Sequence, residues 1–379
     1  MKKLPKALLF LLFVIIFVSA CSSAGQETNS SGQGSEENNG ESITLRVSSA
    51  FSQEHGWFQG FFTPWMEEVE EESDGQVEFE VFTSGELVTV NEELDALRAG
   101  NIDIALPAFP LYDPQRFPLS EVTTLPLIKS DAGIATEAFQ DLLSSDQELM
   151  EGKTFYELEY GEKEVRALPM VTTEPYLLTT VGHQFDSIDS FEGVQIRTGG
   201  RVHEMFTQNI NSDTVTMPFT DIYDALSRGT VEGIIMSMSE WKSNGLEDLF
   251  QYTIKGFNLG HHNVVIGMDE EKWSNLPSSI QDIMENAARK HLMGGAEHLI
   301  SISENTEHDT AENGAEFKDI EELDADVQKH LMKAMEDTWF EWIKTVEDQG
   351  APGREAAKLW RDLIVEQGGE VPDAIKELE

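Results

Sequence analysis

Cys21 is the only cysteine in the chain. It follows Val18-Ser19-Ala20, small residues of the kind read by a peptidase that cuts before a thiol to be acylated. Lys2, Lys3 and Lys6 form a positive segment before the apolar run Leu8–Val18, which is too short to span a bilayer comfortably. The pattern predicts a lipoprotein signal over residues 1–20, cleaved so that Cys21 becomes the first residue and carries acyl chains. An uncleaved signal anchor with an incidental cysteine fits these flanks less well. One cysteine excludes an intramolecular disulfide, and a thiol committed to lipid is no catalytic nucleophile. The adjacent His261 and His262 suggest a metal, but neighbouring side chains of a strand face opposite ways and no third ligand stands at a recognisable spacing. Gly-x-Ser-x-Gly, phosphate-loop and His-Glu-x-x-His patterns are absent from the sequence. Carboxylates are too abundant for any pair to single out glycoside hydrolysis. These residues point away from an enzyme, and no cofactor is implied.

Lysine plus arginine number 26 against 70 aspartates and glutamates, a net charge of −44. Removal of the signal takes three lysines and no acids, leaving the mature chain near −47. Such a polyanion repels nucleic acid and anionic headgroups. It suits a surface kept hydrated in salt or at high pH, where salt screens self-repulsion. Runs such as Glu67–Asp74 read as solvated faces and lack the alternating ligands of an EF-hand. An anionic ligand would need local positive charge in a pocket to overcome this field. Residues 21–42 are Ser, Gly, Gln, Asn and Glu with almost nothing apolar, the composition of a disordered tether. The rest is long enough for two domains, and no later stretch is apolar enough to cross a membrane.

The elements that would position a site alternate between strand and helix. Ile43–Val47, Val77–Val81 and Ile102–Leu106 have strand patterning. Trp57–Glu72 and Val90–Ala99 have helical spacing and end at Gly75 and Gly100. A second series follows: strands at Tyr176–Val181, Val194–Arg197, Thr214–Met217 and Val231–Met236, a turn at Ser187–Glu192, and helices at Arg201–Asn209 and Asp221–Arg228. A long helix opens at Pro277, with Ser278 and Gln281 at capping-box spacing and Ile280, Ile283, Met284, Ala287, Leu292, Ala296, Leu299 and Ile300 along its apolar face. A further amphipathic helix spans about Asp326–Glu347. The alternation predicts α/β lobes with parallel sheets. No fixed-period repeat is visible.

Several strings in order bear a likeness to a known family. They are Thr83-Ser-Gly-Glu-Leu87, Glu93-Leu-Asp-Ala-Leu-Arg-Ala-Gly-Asn-Ile-Asp103, Val194-Gln-Ile-Arg-Thr-Gly-Gly200, Met217-Pro-Phe-Thr-Asp-Ile-Tyr-Asp-Ala-Leu226, Gly229-Thr-Val-Glu-Gly233 and Asn275-Leu-Pro277. Together they resemble the DctP-type solute receptors of tripartite ATP-independent periplasmic (TRAP) transporters. The resemblance covers nearly the whole mature chain; each string alone is weak, and their order is specific. It implies an α/β, two-domain periplasmic-binding-protein-like fold with a hinged interdomain cleft and long C-terminal helices. Domain I would comprise 43–173 plus about 262–302, and domain II 174–261 plus about 303–379. It also implies a small organic carboxylate as ligand, no chemistry on it, and delivery to the membrane subunits of a TRAP permease driven by an ion gradient. The protein would be extracytoplasmic and held to the membrane by its lipid. A lipoprotein that presents bound solute to a sensor instead of a permease stays open as the alternative.

In the family, the arginine ending the strand that corresponds to Arg197 pairs with the ligand carboxylate. A guanidinium is planar, always charged, and offers two parallel donors that match a carboxylate. Arg201 and Arg166 are the other cationic candidates. Phe219 corresponds to an aromatic that flanks the ligand, and His55 and Trp57 follow the first strand where relatives line the cleft. Some expected polar positions differ. Leu177 stands where many relatives carry a second arginine, Met236 where many carry an amide, and Phe109 ends a strand where some place a polar side chain. A ligand rich in hydroxyls would leave them unpaired there. The expectation is a smaller or more apolar monocarboxylate, aromatic or aliphatic.

Overall fold

The computed structural model describes residues 42–379 apart from Pro218. The signal and Cys21 lie outside the described residues, as does nearly all of the tether. In chain order the strands are β1 (Ile43–Ser48), β2 (Val77–Phe82), β3 (Ile104–Ala108), β4 (Val165–Leu168), β5 (Tyr176–Thr180), β6 (Gln195–Thr198), β7 (Asp213–Thr216), β8 (Gly233–Ser237), β9 (Tyr252–Lys255), β10 (Val265–Asp269) and β11 (Glu316–Asp319). They form one sheet in the order β2-β1-β3-β10-β4 and another in the order β11-β9-β5-β8-β6-β7.

The sheets are mixed, which corrects the expectation of parallel ones. In the first, β1 runs parallel to β2 and β3, while β10 is antiparallel to both β3 and β4. In the second, β6 is parallel to β7 and β8, and β5 is antiparallel to β8 and β9. The physical reason is the route of the chain. After β9 in the second sheet it returns to the first as β10, entering against the direction of the earlier strands. It passes from sheet to sheet at residues 169–175 and 256–264, then along the helix Ser278–Glu312 to β11.

The expected Trp57–Glu72 helix begins as a wide π turn, Phe58–Phe62, before the α-helix Thr63–Glu72. The long helix lies close by: a Cβ added at Gly60 would come within 2.8 Å of the His298 side chain. The long helix buries Ile280, Met284, Ala287, Leu292, Ala296 and Leu299 as its periodicity predicts, while Ile283 and Ile300, at the edges of the expected face, are only partly buried. Its capping box does not form. Pro277 is the N-cap residue, and the Gln281 amide turns back to donate to the Trp273 and Leu276 carbonyls at 2.9 and 3.1 Å.

The helix Ala325–Asp348 packs on Arg201–Asn209 and buries Trp339 and Trp342. Trp339 Nε1 donates to the Pro126 carbonyl at 2.7 Å and Trp342 Nε1 to Glu121 Oε2 at 3.3 Å. The following helix, Gly353–Glu366, lies on Ala132–Ser144. The C-terminal helices thereby bind elements that accompany both sheets, and their indoles share one apolar cluster with Phe117 and Phe139. No described helix is long and apolar enough to cross a membrane.

Candidate ligand-binding site

Strand ends converge between the two sheets. Phe51 follows β1, Phe109 follows β3, Arg197 is the third residue of β6, and Glu240 follows β8 through a short 3-10 turn. Crevices beyond the ends of parallel strands are where open α/β sheets place ligands. Here the convergence makes a narrow, nearly closed chamber, with about 10 Å³ of free space, room for little more than one water molecule. Phe51, Trp57, Phe109 and Tyr112 line it from the side of the first sheet. Tyr176, Arg197, Phe219, Met236, Glu240 and Asn244 line it from the side of the second, and His262 comes from the crossing at 256–264. Phe51 and Phe219 stack across the chamber with ring centroids 5.2 Å apart and planes 16° apart. Phe109 stacks on Tyr112 at 5.3 Å. A wall built so heavily of rings offers flat apolar surface to a planar ligand.

Arg197 is 2 % exposed and has no ion-pair partner among the described residues. Its Nε and Nη2 donate to the Met217 carbonyl at 3.1 and 2.8 Å, and the Tyr112 hydroxyl is within its hydrogen-bonding reach. The carbonyl fixes the plane of the guanidinium and leaves its charge unneutralised. Gly199 makes this possible, because a Cβ there would stand 3.1 Å from Arg197 Nη1 and 3.5 Å from His262 Cε1. The guanidinium edge and the imidazole thus flank the same small space.

The other two arginines are committed. Arg201 forms a charge-assisted fork with Glu121, its Nε donating to Oε2 at 2.9 Å and its Nη2 to the same oxygen. Burial raises the Glu121 carboxyl above its usual range, and the Arg201 charge opposes that. Arg166 pairs with Glu285 and sits over the Trp273 ring. Arg197 and Tyr112 also line a larger outer pocket of about 420 Å³ that includes Arg201, Glu121 and Glu204. They stand between the chamber and that pocket.

The remaining polar groups of the chamber form a chain. Tyr176 Oη lies 3.3 Å from Glu240 Oε2 and 3.1 Å from His262 Nδ1. The Tyr176 ring stacks on the His262 ring at 4.1 Å, and the His203 ring stacks on both. Burial pushes the Glu240 carboxyl up to about 7, with the Arg197 charge pulling the other way. Burial likewise holds His262 well below its ordinary value, keeping it neutral, and raises Tyr176. His262 Nε2 and Trp57 Nε1 are buried without a hydrogen-bond partner among the described residues. Orphaned buried donors and acceptors are costly, so each of these two is available to a polar group that comes within reach. Asn244 donates to the Glu240 carbonyl at 2.7 Å.

Of the residues expected to line a site, the structure brings Arg197, Phe219, Trp57, Met236 and Phe109 into one chamber. It places His55 behind that wall. The ring of His55 lies 4.1 Å from Phe51 and its Nδ1 accepts the Trp57 backbone N–H at 3.2 Å, while burial lowers it to about 3. Leu177 packs with Ile222, Val231 and Trp241 and lines a separate pocket beside Lys255 and Glu307. Sequence reasoning missed Phe51, Tyr112, Tyr176 and Asn244 as wall residues. It considered His262 only as a possible metal ligand. The two adjacent histidines do part company, although residues 261–263 are not in a strand. His261 turns to the Thr173 carbonyl and Ser130 Oγ, at 2.8 and 2.9 Å. No group of three or more His, Cys, Asp or Glu side chains among the described residues could hold a metal ion.

Comparison with known proteins agrees with this architecture. A solved TRAP solute-binding protein from a marine metagenome, specific for aromatic acid ligands and holding metahydroxyphenylacetate, superposes with a TM-score of 0.76 at 20 % identity. The match covers 86 % of this chain and 99 % of that one. A TRAP solute-binding protein from Rhodoferax ferrireducens with copurified benzoate gives a TM-score of 0.73 at 20 % identity, covering 86 % of this chain and 98 % of that one. The C4-dicarboxylate-binding periplasmic protein DctP of Rhodobacter capsulatus is 23 % identical over 224 residues, 58 % of this chain. The chain spans 62 % of the length of that relative. Both solved structures share the two-domain periplasmic-binding fold. The model of the bacterial extracellular solute-binding proteins, family 7, matches residues 47–345, and the chain therefore belongs to that family, DctP.

Proposed function

We propose that the protein is the extracytoplasmic receptor of a TRAP transporter and that it captures a small, largely apolar monocarboxylate, an aromatic acid being the best fit. The observation that carries this is Arg197: a buried guanidinium, oriented by a backbone carbonyl and paired with no acid, facing a chamber of aromatic rings. A carboxylate would take its free donors, and the ligand's apolar body would lie among Phe51, Trp57, Phe109 and Phe219. The solved relatives that hold metahydroxyphenylacetate and benzoate support the ligand class. The chamber walls come from both sheets, so a ligand that touches both favours closure, and only such differential contact shifts an open–closed equilibrium. The lobes would be residues 43–173 with about 262–302, and 174–261 with about 303–379. The closed form would be read by the permease. The N-terminal signal and acylation at Cys21 would hold the receptor at the membrane.

The test is calorimetry and thermal shift on the mature protein with benzoate, 3-hydroxybenzoate, aliphatic monocarboxylates, C4-dicarboxylates and uronates. The aromatic acids should bind and raise Tm. Arg197→Leu should weaken binding at least 100-fold while circular dichroism stays unchanged. Stabilisation by polyhydroxylated acids alone, or undiminished binding in that variant, would sink the proposal.

A further inference from the structure

The chain Glu240–Tyr176–His262 has two ways to direct its hydrogen bonds, and they present opposite faces to a ligand. When Glu240 is ionised it can only accept, so the Tyr176 hydroxyl donates to it. The tyrosine oxygen then accepts from His262 Nδ1–H, and Nε2, buried without a partner among the described residues, is a bare lone pair. When Glu240 is protonated each bond reverses. Glu240 donates to Tyr176, Tyr176 donates to Nδ1, and the imidazole proton sits on Nε2. The second arrangement holds one proton more than the first, located on Glu240, and no other bond is made or broken.

Only the second arrangement suits a carboxylate beside Arg197. It turns His262 Nε2 from an acceptor, which repels the anion, into a donor on the ring atom bonded to Cε1, and Cε1 shares the space beside Gly199 with Arg197 Nη1. It also removes a buried negative charge from the chamber. We infer that capture of the ligand anion is coupled to uptake of one proton by the Glu240–Tyr176–His262 chain, which sets the imidazole as a second donor beside Arg197. Glu240 is thus a positioning residue that acts through Tyr176 and His262. This inference rests on the carboxylate-receptor reading and specifies how that site is regulated.

Of the surrounding groups, Glu93, raised to about 8 by burial, also titrates in this range; it acts on Tyr112 and is not bonded to the Glu240–Tyr176–His262 chain. Arg197 is charged throughout. Tyr112 is raised to about 12 and His203 lowered to about 4, both by burial, so both stay neutral across the working range. His261, lowered to about 4 by burial, is bonded away from the chamber. On the outer side of the Glu240 turn, Lys242, Glu54 and Asp309 line a separate groove. With its carboxyl raised to about 7, Glu240 changes state in the range where the ligand, an acid of ordinary pKa near ~4, is always ionised. The sign follows. Affinity is full below about 7 and falls above it, because each further pH unit leaves about tenfold less of the protonated form.

The experiment is titration calorimetry of the mature protein with benzoate and 3-hydroxybenzoate from pH 6 to 9, in buffers of different ionisation enthalpy. The dissociation constant should rise about tenfold per pH unit above 7, with proton uptake approaching one per ligand at pH 8. Glu240→Gln, which cannot ionise, should bind at pH 9 as tightly as the parent binds at pH 6, with no proton uptake. Tyr176→Phe, which cuts the chain, should flatten the profile. The wild-type proton count needs no variant and decides the matter if either substitution fails to fold. A flat profile with tight binding would overturn the inference and leave the receptor reading standing. Affinity that rises with pH would overturn it too, since Glu240 would then act as a charged partner. No binding of either acid at any pH would instead remove the aromatic-carboxylate reading on which it rests.

Discussion

Arg197 and Arg201 stand four residues apart on the two sides of a glycine pair, and they have opposite fates. Arg201 opens a helix and forks onto Glu121, whose second bond comes from Trp342 of the C-terminal helix. Arg197 stands one residue before the end of a strand and meets a backbone carbonyl and the Tyr112 hydroxyl, and its charge acts on Glu240 without pairing with it. The first arrangement is closed: charge answers charge and a tryptophan ties the pair to a distant element. The second is left open on one side. In a chain of net charge −44, an arginine paired with no carboxylate among the described residues must be kept so by the fold. The Arg197 side is where an external anion could complete the set, and the Arg201 side is where the body is fastened together.

The largest expected effect breaks the fastened side. Arg201→Leu leaves Glu121 buried without its cation, and removal of one partner from such a pair costs about 3–5 kcal/mol. Chemical denaturation at pH 8 should show a loss of that size. Glu121 is already raised above its usual range, and the loss of Arg201 raises it further. Stability of the variant should therefore fall as pH rises and recover on acidification as the carboxyl becomes neutral. Loss of the same size at pH 5 would mean that packing, not the uncompensated charge, is responsible. A smaller effect is expected on the open side. Phe219 is half-buried and its ring lies against Phe51 across the chamber. Phe219→Ala should weaken aromatic-acid binding about tenfold, roughly 1.4 kcal/mol, with little change in unfolding midpoint. An equal weakening for a short aliphatic acid would show that the ring serves closure and not ligand contact.

The strand and helix around Arg197 were plain in the sequence because both are built by local rules. Val194–Arg197 has strand patterning and closes on Gly199-Gly200, and the helix Arg201–Asn209 has the predicted bounds. Strands β4, β9, β10 and β11 were not legible. Each is four or five residues long and owes its place to partners far off in sequence, as β10 does between β3 and β4. The direction of β10 depends on which sheet the chain has just left, and no local pattern records that. The same holds for the chamber. Trp57, Phe109 and Arg197 sit at strand ends or just beyond them, where a motif can point. Tyr176, Glu240 and His262 become one chain only when β5, the turn after β8 and the crossing at 256–264 are brought together.

Leu177 gives the smallest and most discriminating test of the boundary. It is paired in register with Met236 across β5 and β8, yet only Met236 reaches the chamber wall. Opposed residues share a face of a sheet, and Leu177 lies with Met236 in one apolar cluster while Tyr176 belongs to another. Leu177 accordingly packs with Ile222 and Trp241. Leu177→Ala removes buried apolar volume and should lower stability by about 2–3 kcal/mol. Its effect on the dissociation constant for benzoate should stay within about twofold, because no chamber surface is lost. Calorimetry and denaturation on the same preparation separate the two. A tenfold weaker binding at unchanged stability would extend the chamber wall to Leu177, and the position where relatives carry a second arginine would belong to the site after all.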